Sequence, residues 1–293
     1  MRRLSLAIIA GVSTIAFTQL ASAADLPRKA PPAPPPPVYS WTGFYVGANV
    51  GYGWGNSSAT ESPGDPASRL PFGPFTLIGS ASASFDTNGW VGGLQVGYNW
   101  QFNPRWVAGV EADFDWSDIK GSSSVSANVI DFPRGIFNAS QKVDWFGTVR
   151  ARLGYLLTND LLVYATGGLA YGKVNESAGF GLIPGANAFA STSGVSFVCS
   201  NPPGQFGLGE SSTCFAGSHS RTSVGWTVGG GVEYRFAQNF SLKLEYLYVD
   251  LGSETFNIPA ATLFAPATSP SILNVSFDRA AFNLVRAGLN YRF

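Results

Sequence analysis

Bulky aromatic residues recur ten positions apart on one parity of this chain: Phe44 with Trp54, Trp90 with Trp100, Trp106 with Trp116, Trp145 with Tyr155, and Trp226 with Phe236. Between them the same parity stays apolar. In "WTGFYVGANVGYGWG", Phe44, Val46, Ala48, Val50, Tyr52 and Trp54 alternate with Gly43, Tyr45, Gly47, Asn49, Gly51 and Gly53. Successive side chains of a strand point to opposite faces, so this period of two predicts strands. Seven further segments behave alike, over 88–101, 105–117, 142–156, 161–173, 222–236, 240–251 and 280–293. A soluble sandwich alternates too. It has no reason to repeat one aromatic spacing in strand after strand. Ten steps of about 3.3 Å at a tilt of about 40° climb about 25 Å. That is the height of the apolar band between the aromatic girdles of a transmembrane barrel, where indole and phenol rings sit at the wet boundary.

The charges obey the same parity. Glu111, Asp113, Arg150, Arg152, Glu233, Arg235, Lys243, Glu245 and Arg286 all fall on the face opposite the aromatics. A lysine or arginine facing lipid at mid-membrane costs about 2–4 kcal/mol, and about 0–1 near the boundary. The two exceptions, Lys173 and Asp250, lie at strand ends. The fold expected is therefore all-β, an eight-stranded antiparallel up-and-down transmembrane barrel. An even strand number lets such a meander close, and closure leaves no edge unpaired in hydrocarbon. A ten- or twelve-stranded barrel is the competing count. Short connections at 102–105, 157–160 and 237–239 alternate with long ones at 55–87, 118–141, 174–221 and 252–279. Short turns belong to the periplasmic side and long loops to the outside. "FTLIGSASASF" and "SILNVSF" inside the long connections read as hairpin extensions above the membrane.

The first 23 residues read as a secretory signal peptide: Arg2 and Arg3, a largely apolar run to Leu20, then Ala21-Ser22-Ala23 as the cleavage pattern. Residues 24–40 hold the run Pro34 to Pro37, expected to be a stiff periplasmic spacer, with docking to a partner's aromatic groove as the minor alternative. The barrel is expected over 41–293. Cys199 and Cys214 suit a loop disulfide in an oxidising compartment, with free thiols or another pairing as the alternative. Balanced charge, 18 basic against 18 acidic residues, leaves no footprint for nucleic acid. No zinc spacing, phosphate loop or nucleophile elbow occurs, and "SHS" at Ser218 to Ser220 offers a serine no carboxylate-backed base. Neither enzymatic activity nor a cofactor is expected.

The ordered set "WTGFYVGANVGYGWG", "GWVGGLQVGYNWQ", "GTVRARLGYLL", "LVYATGGLAYGKV", "VGWTVGGGVEYRF", "NFSLKLEYLYVDLG" and "LVRAGLNYRF" resembles the small outer-membrane proteins of alphaproteobacteria. These include the major surface antigens of Brucella and their rhizobial relatives, often described as porin-family or OmpA-type barrels. The resemblance covers the strands from Trp41 to Phe293 and not the loops. It implies an eight-stranded barrel surrounded by outer-membrane lipid and lipopolysaccharide. It also implies that Phe293 serves as an insertion signal for the barrel-assembly machinery.

For function, an eight-stranded interior is just wide enough to be filled by side chains. Paired acids and bases there predict a hydrogen-bonded plug and a structural, surface-exposed role. A narrow pore is the alternative, with inward Gly47, Gly51, Gly97 and Gly229 leaving space. A third reading is ligand or host recognition by the loops, with His219 as the sole imidazole available to a haem.

Overall fold

A backbone crossing lipid must pair every N–H and C=O within the protein, and the chain does so by closing a ring of strands. A computed structural model describes residues 40–65, 71–72, 75–76, 80–127, 135–182, 188–192, 195–199, 212–261 and 269–293. The expected leader and nearly all of the proline spacer lie outside these residues. The principal strands are β1 (Gly43–Pro63), β2 (Ala81–Asn103), β3 (Trp106–Ala127), β4 (Gly135–Leu156), β5 (Leu161–Leu182), β6 (Ser212–Arg235), β7 (Phe240–Asp250), β8 (Glu254–Pro259), β9 (Ile272–Phe277) and β10 (Ala281–Arg292). Eight of them, β1 to β7 and β10, form the ring by antiparallel neighbour pairing. β1 closes it by pairing with both β2 and β10. The lower ends match the short turns read from the sequence.

The upper ends overrun the expected strands, and the reason is chemical. Inside the membrane the apolar parity faces out. Above Trp54, β1 presents Asn56, Ser58, Thr60 and Ser62 outward and buries Ser57, Ala59 and Glu61. On β4, Phe137, Ala139 and Val143 turn inward, and on β5 so do Val174, Ala178 and Phe180. The barrel thus continues above the lipid as a water-soluble one with its own core, centred on Phe137, Phe180, Phe215, Val275 and Phe277. "SILNVSF" is the source of β9, and the end of "FTLIGSASASF" opens β2.

One seam in this upper half is not laddered. β8 and β9 form a hairpin between β7 and β10, with β9 pairing β1 above the end of β10. β8 then faces residues 216–221 of β6, and no β-ladder joins them. The junction is fastened at the top by the Phe215–Ala260 bridge and by the Ala261 amide donating to the Cys214 carbonyl at 2.9 Å. Below that, side chains close it: His219 stacks on Phe256 with ring centroids 5.5 Å apart, and Arg221 Nε lies 3.2 Å from Glu254 Oε2.

Candidate functional site

Among the described residues, chemistry-bearing groups converge most densely in the barrel interior. Because inward residues alternate along each strand, Glu111, Asp113 and Asp115 of β3 form a column beside Arg150 and Arg152 of β4. Lys243 and Glu245 of β7 stand beside Arg286 of β10. Ion pairs weave the columns together across the lumen. Arg286 meets Asp113 at 2.6 Å, Asp115 at 2.8 Å and Glu245 at 2.8 Å. Arg150 meets Asp113 at 2.9 Å and Glu245 at 3.0 Å, and it also pairs with Glu111. Lys243 Nζ lies 2.9 Å from Glu111. Arg152 meets Glu233 at 2.8 Å, and its guanidinium lies over the Tyr164 ring at 4.0 Å. The Tyr45 hydroxyl donates to Glu111 at 2.6 Å, and Ser241 donates to Glu233 at 2.6 Å.

Balance makes this burial tolerable. With Arg292, 3.8 Å from Glu233, five cations face five carboxylates, all of them buried. Buried charge is affordable only when paired and hydrogen-bonded. Three differences from the charge set read by parity bring it to this balance: Arg235 leaves it, and Asp115 and Arg292 join it. Arg235 has inward parity, yet it lies at the periplasmic rim and pairs with Asp160 of the β4–β5 turn. Asp115, which the sequence grouping left out, takes its place in the network. Parity would have found Asp115, since it lies two residues beyond Asp113.

Layers of buried side chains lie above and below the charges. At the floor, the indole of buried Trp41 donates to the Asn159 carbonyl at 3.0 Å, and Arg292 lies over its ring at 4.4 Å. Above the charges, Val91, Ile119, Phe146, Leu247, Phe282 and Leu284 form a dry layer, with Phe146 and Phe282 packed edge to face at 5.2 Å. The inward glycines lie against neighbouring atoms. A Cβ on Gly97 would sit 2.4 Å from the Tyr45 ring, one on Gly47 2.1 Å from Asn290, one on Gly51 2.7 Å from Arg286 Cβ, and one on Gly229 2.8 Å from Leu247. At each of these glycines the space a side chain would take is already occupied by a neighbouring residue.

The outer wall carries two aromatic belts. Phe44, Trp100, Trp106, Tyr155 and Phe236 lie at the lower end, where Trp106 meets Tyr155 at 5.2 Å. Trp54, Trp90, Trp116, Trp145 and Trp226 lie at the upper end, where Phe114 stacks on Trp145 at 5.4 Å. Phe293 is exposed and sits edge-on to Tyr291 in the lower belt. Cys214 is buried and disulfide-bonded. The side chain of its expected partner, Cys199, lies outside the described residues. His219 is exposed on β6, and no group of three or more candidate metal ligands occurs among the described residues.

Two carboxylates in the upper, extracellular half are held differently from the central ones. Glu61, wholly buried on β1 between Ala81 and Val275, is pushed up to about 8 by burial alone. Glu176 is also raised by burial, and Gln141 donates to it at 3.0 Å.

Two predictions follow from these placements. Arg286→Met leaves three buried carboxylates short of their shared cation and should destabilise the barrel by about 3–5 kcal/mol. Arg235→Met at the wet rim should cost no more than about 1 kcal/mol. Urea unfolding in detergent micelles measures both, and equal losses would contradict the assignment. The second concerns Glu61. Its folded pKa lies above its unfolded one, so between about 4.5 and 8 the folded state binds more protons. Stability therefore falls as pH rises through that window, by a few kcal/mol in order of magnitude. Glu61→Gln should flatten that slope in thermal melts followed across the same range.

Comparison with known proteins matches this architecture. The model of the outer membrane protein beta-barrel domain matches residues 14–293. The 31 kDa outer-membrane immunogenic protein of Brucella melitensis is 36% identical over 289 residues, covering 98% of each chain. The 22 kDa outer membrane protein of Rhizobium leguminosarum bv. viciae is 29% identical over 254 residues, covering 87% of this chain and 85% of its own. The crystal structure of OprG from Pseudomonas aeruginosa aligns over 86% of this chain and 96% of its own, at 15% identity and a TM-score of 0.46. A closed ring of eight strands with a charged filling, spanned end to end by one family model, places this chain in the outer membrane protein beta-barrel family, alongside the immunogenic outer-membrane proteins of Brucella.

Proposed function

We propose that this protein is a structural, surface-exposed element of the outer membrane with a closed lumen, and that it is not an enzyme. One observation supports this above the others: the ten-charge network lies between the Trp41–Arg292 floor and a dry apolar layer. An ion entering from outside has to pass Phe146 and Phe282 before it reaches the ten-charge network, and desolvating it there is costly. From the periplasm it meets a tryptophan already bonded to the β4–β5 turn. The narrow-pore reading would require both layers to move. Purified protein in planar bilayers should show no steady openings, only rare and brief ones. Large sustained conductance would overturn the closed-lumen reading.

The name shared by the Brucella relatives describes proteins met by antibodies. By analogy, the upper half and its loops face the exterior here and contribute to envelope integrity, with room for an extracellular ligand among the loops. Phe293, exposed beside Tyr291 on the closing strand, serves the barrel-assembly machinery as a recognition residue. Phe293→Ala should refold in detergent with stability within about 0.5 kcal/mol of wild type. Antibody labelling of intact cells should nevertheless drop severalfold, because less barrel is inserted. Labelling equal to wild type would remove Phe293 from that role.

A further inference from the structure

The outer wall carries a charge cluster that the closed-lumen reading does not use. The chain has five lysines, of which Lys243 lies in the lumen and Lys29 in the proline spacer. The other three, Lys120, Lys142 and Lys173, face outward on the adjacent strands β3, β4 and β5. Lys120 and Lys142 are direct cross-strand partners, and Lys173 is the partner of Trp145. Trp145 in turn partners Trp116. A row of ammonium groups therefore stands against the extracellular side of the upper tryptophan belt. Tryptophan marks the boundary between hydrocarbon and head groups, so these lysines lie at the head-group level of the outer leaflet.

Like charges directly opposite each other on antiparallel strands destabilise the pair. The protein offsets this only in part. Asp118 lies 3.0 Å from Lys120, and Asp144 lies 3.1 Å from Lys142 and 3.6 Å from Lys173. Asp144 also accepts from the Asn175 amide at 2.6 Å. Two carboxylates thus serve three ammonium groups, whose side chains stay 62%, 46% and 42% exposed. The ladder shifts register at this height, between Trp116 and Ile119 and between Val143 and Trp145. Such bulges re-aim side chains and increase local twist. The patch is one-sided. Across the barrel, Arg279 of the β9–β10 connection is drawn instead to buried Asp250, at 3.2 Å. Below the lysines runs an exposed aliphatic wall of Val110, Val149, Leu153 and Leu169.

We propose that Lys120, Lys142 and Lys173 form a binding site for the anionic head group of a lipopolysaccharide molecule, with its acyl chains lying on the β3–β5 wall. Phosphate groups on the lipid A sugar would supply the negative charge that the two aspartates leave wanting. Trp116 and Trp145 would border the sugar, and Asn175 would offer a further donor. The site gives the barrel one preferred side for the lipid of its own leaflet. The inference rests on the outer-membrane location and is independent of whether the lumen conducts.

The test uses the full barrel in nanodiscs of neutral phospholipid, with bisphosphorylated lipid A as the probe and native mass spectrometry as the readout. Each lysine near an anionic surface is worth about 1 kcal/mol, which is roughly fivefold in affinity. K120Q/K142Q/K173Q should bind the probe at least about tenfold more weakly than wild type. Dephosphorylated lipid A should bind both proteins alike. Arg105→Gln, at the periplasmic turn, should bind as wild type does. If the triple variant fails to show the heat-modifiable migration of a folded barrel, Lys142→Gln alone replaces it, with a loss of about fivefold expected. Wild-type affinity in the folded variant, or undiminished binding of the dephosphorylated lipid, overturns the proposal.

Discussion

Hydrocarbon offers a polypeptide no hydrogen bonds, and almost every feature of this molecule answers that deficit. The ring of strands satisfies the backbone. Closing it with eight strands fixes an interior about the width of the side chains that must fill it. Since the outer face must be apolar, the charges of the sequence have nowhere to go but inward. Once inside they have to be mutually satisfied. Arg286 answering Asp113, Asp115 and Glu245 together is the local result of that global demand.

The same constraint explains why the lumen is stratified. Within the membrane the wall takes the apolar residues, and the interior is left with Arg, Lys, Glu and Asp. Where lipid gives way to water the assignment reverses, and Phe137, Phe180 and Phe277 turn in while Asn, Ser and Thr turn out. The intermediate zone receives Phe146, Phe282 and Leu284. A dry layer over a charged one follows from where the bilayer ends. The closed-lumen reading draws on that stacking.

Much of this was legible in the residues. Membrane-embedded alternation gave the ring, its even strand number and the inward set, because lipid imposes one rule on every strand alike. Depth was harder to read. Arg235 has the correct parity for the network but the wrong height, and parity carries no information on height. Two pieces of the upper strands, in "FTLIGSASASF" and "SILNVSF", are legible as extensions above the membrane, but the full length of those strands is not, because their apolar parity switches faces above Trp54 and breaks the very pattern that reveals the rest. For the same reason Glu61 passed unnoticed as a buried acid. Trp41 could not be recognised as the floor at all, since its indole bonds to a turn 118 positions away. Register shifts on β3 and β4, which set Asp118 and Asp144 among the lysines, likewise depend on partner strands and leave no mark in either strand alone.

The unladdered junction between β6 and β8 has a mechanical meaning. A tube laddered all the way round resists any change in girth, because widening it breaks a row of backbone bonds. A tube slit along one side does not. The part of this barrel above the bilayer is held on that side by few fastenings: spreading it parts the Phe215–Ala260 bridge, the Ala261–Cys214 hydrogen bond, the His219–Phe256 stack and the Arg221–Glu254 pair, and leaves the ladders beneath intact.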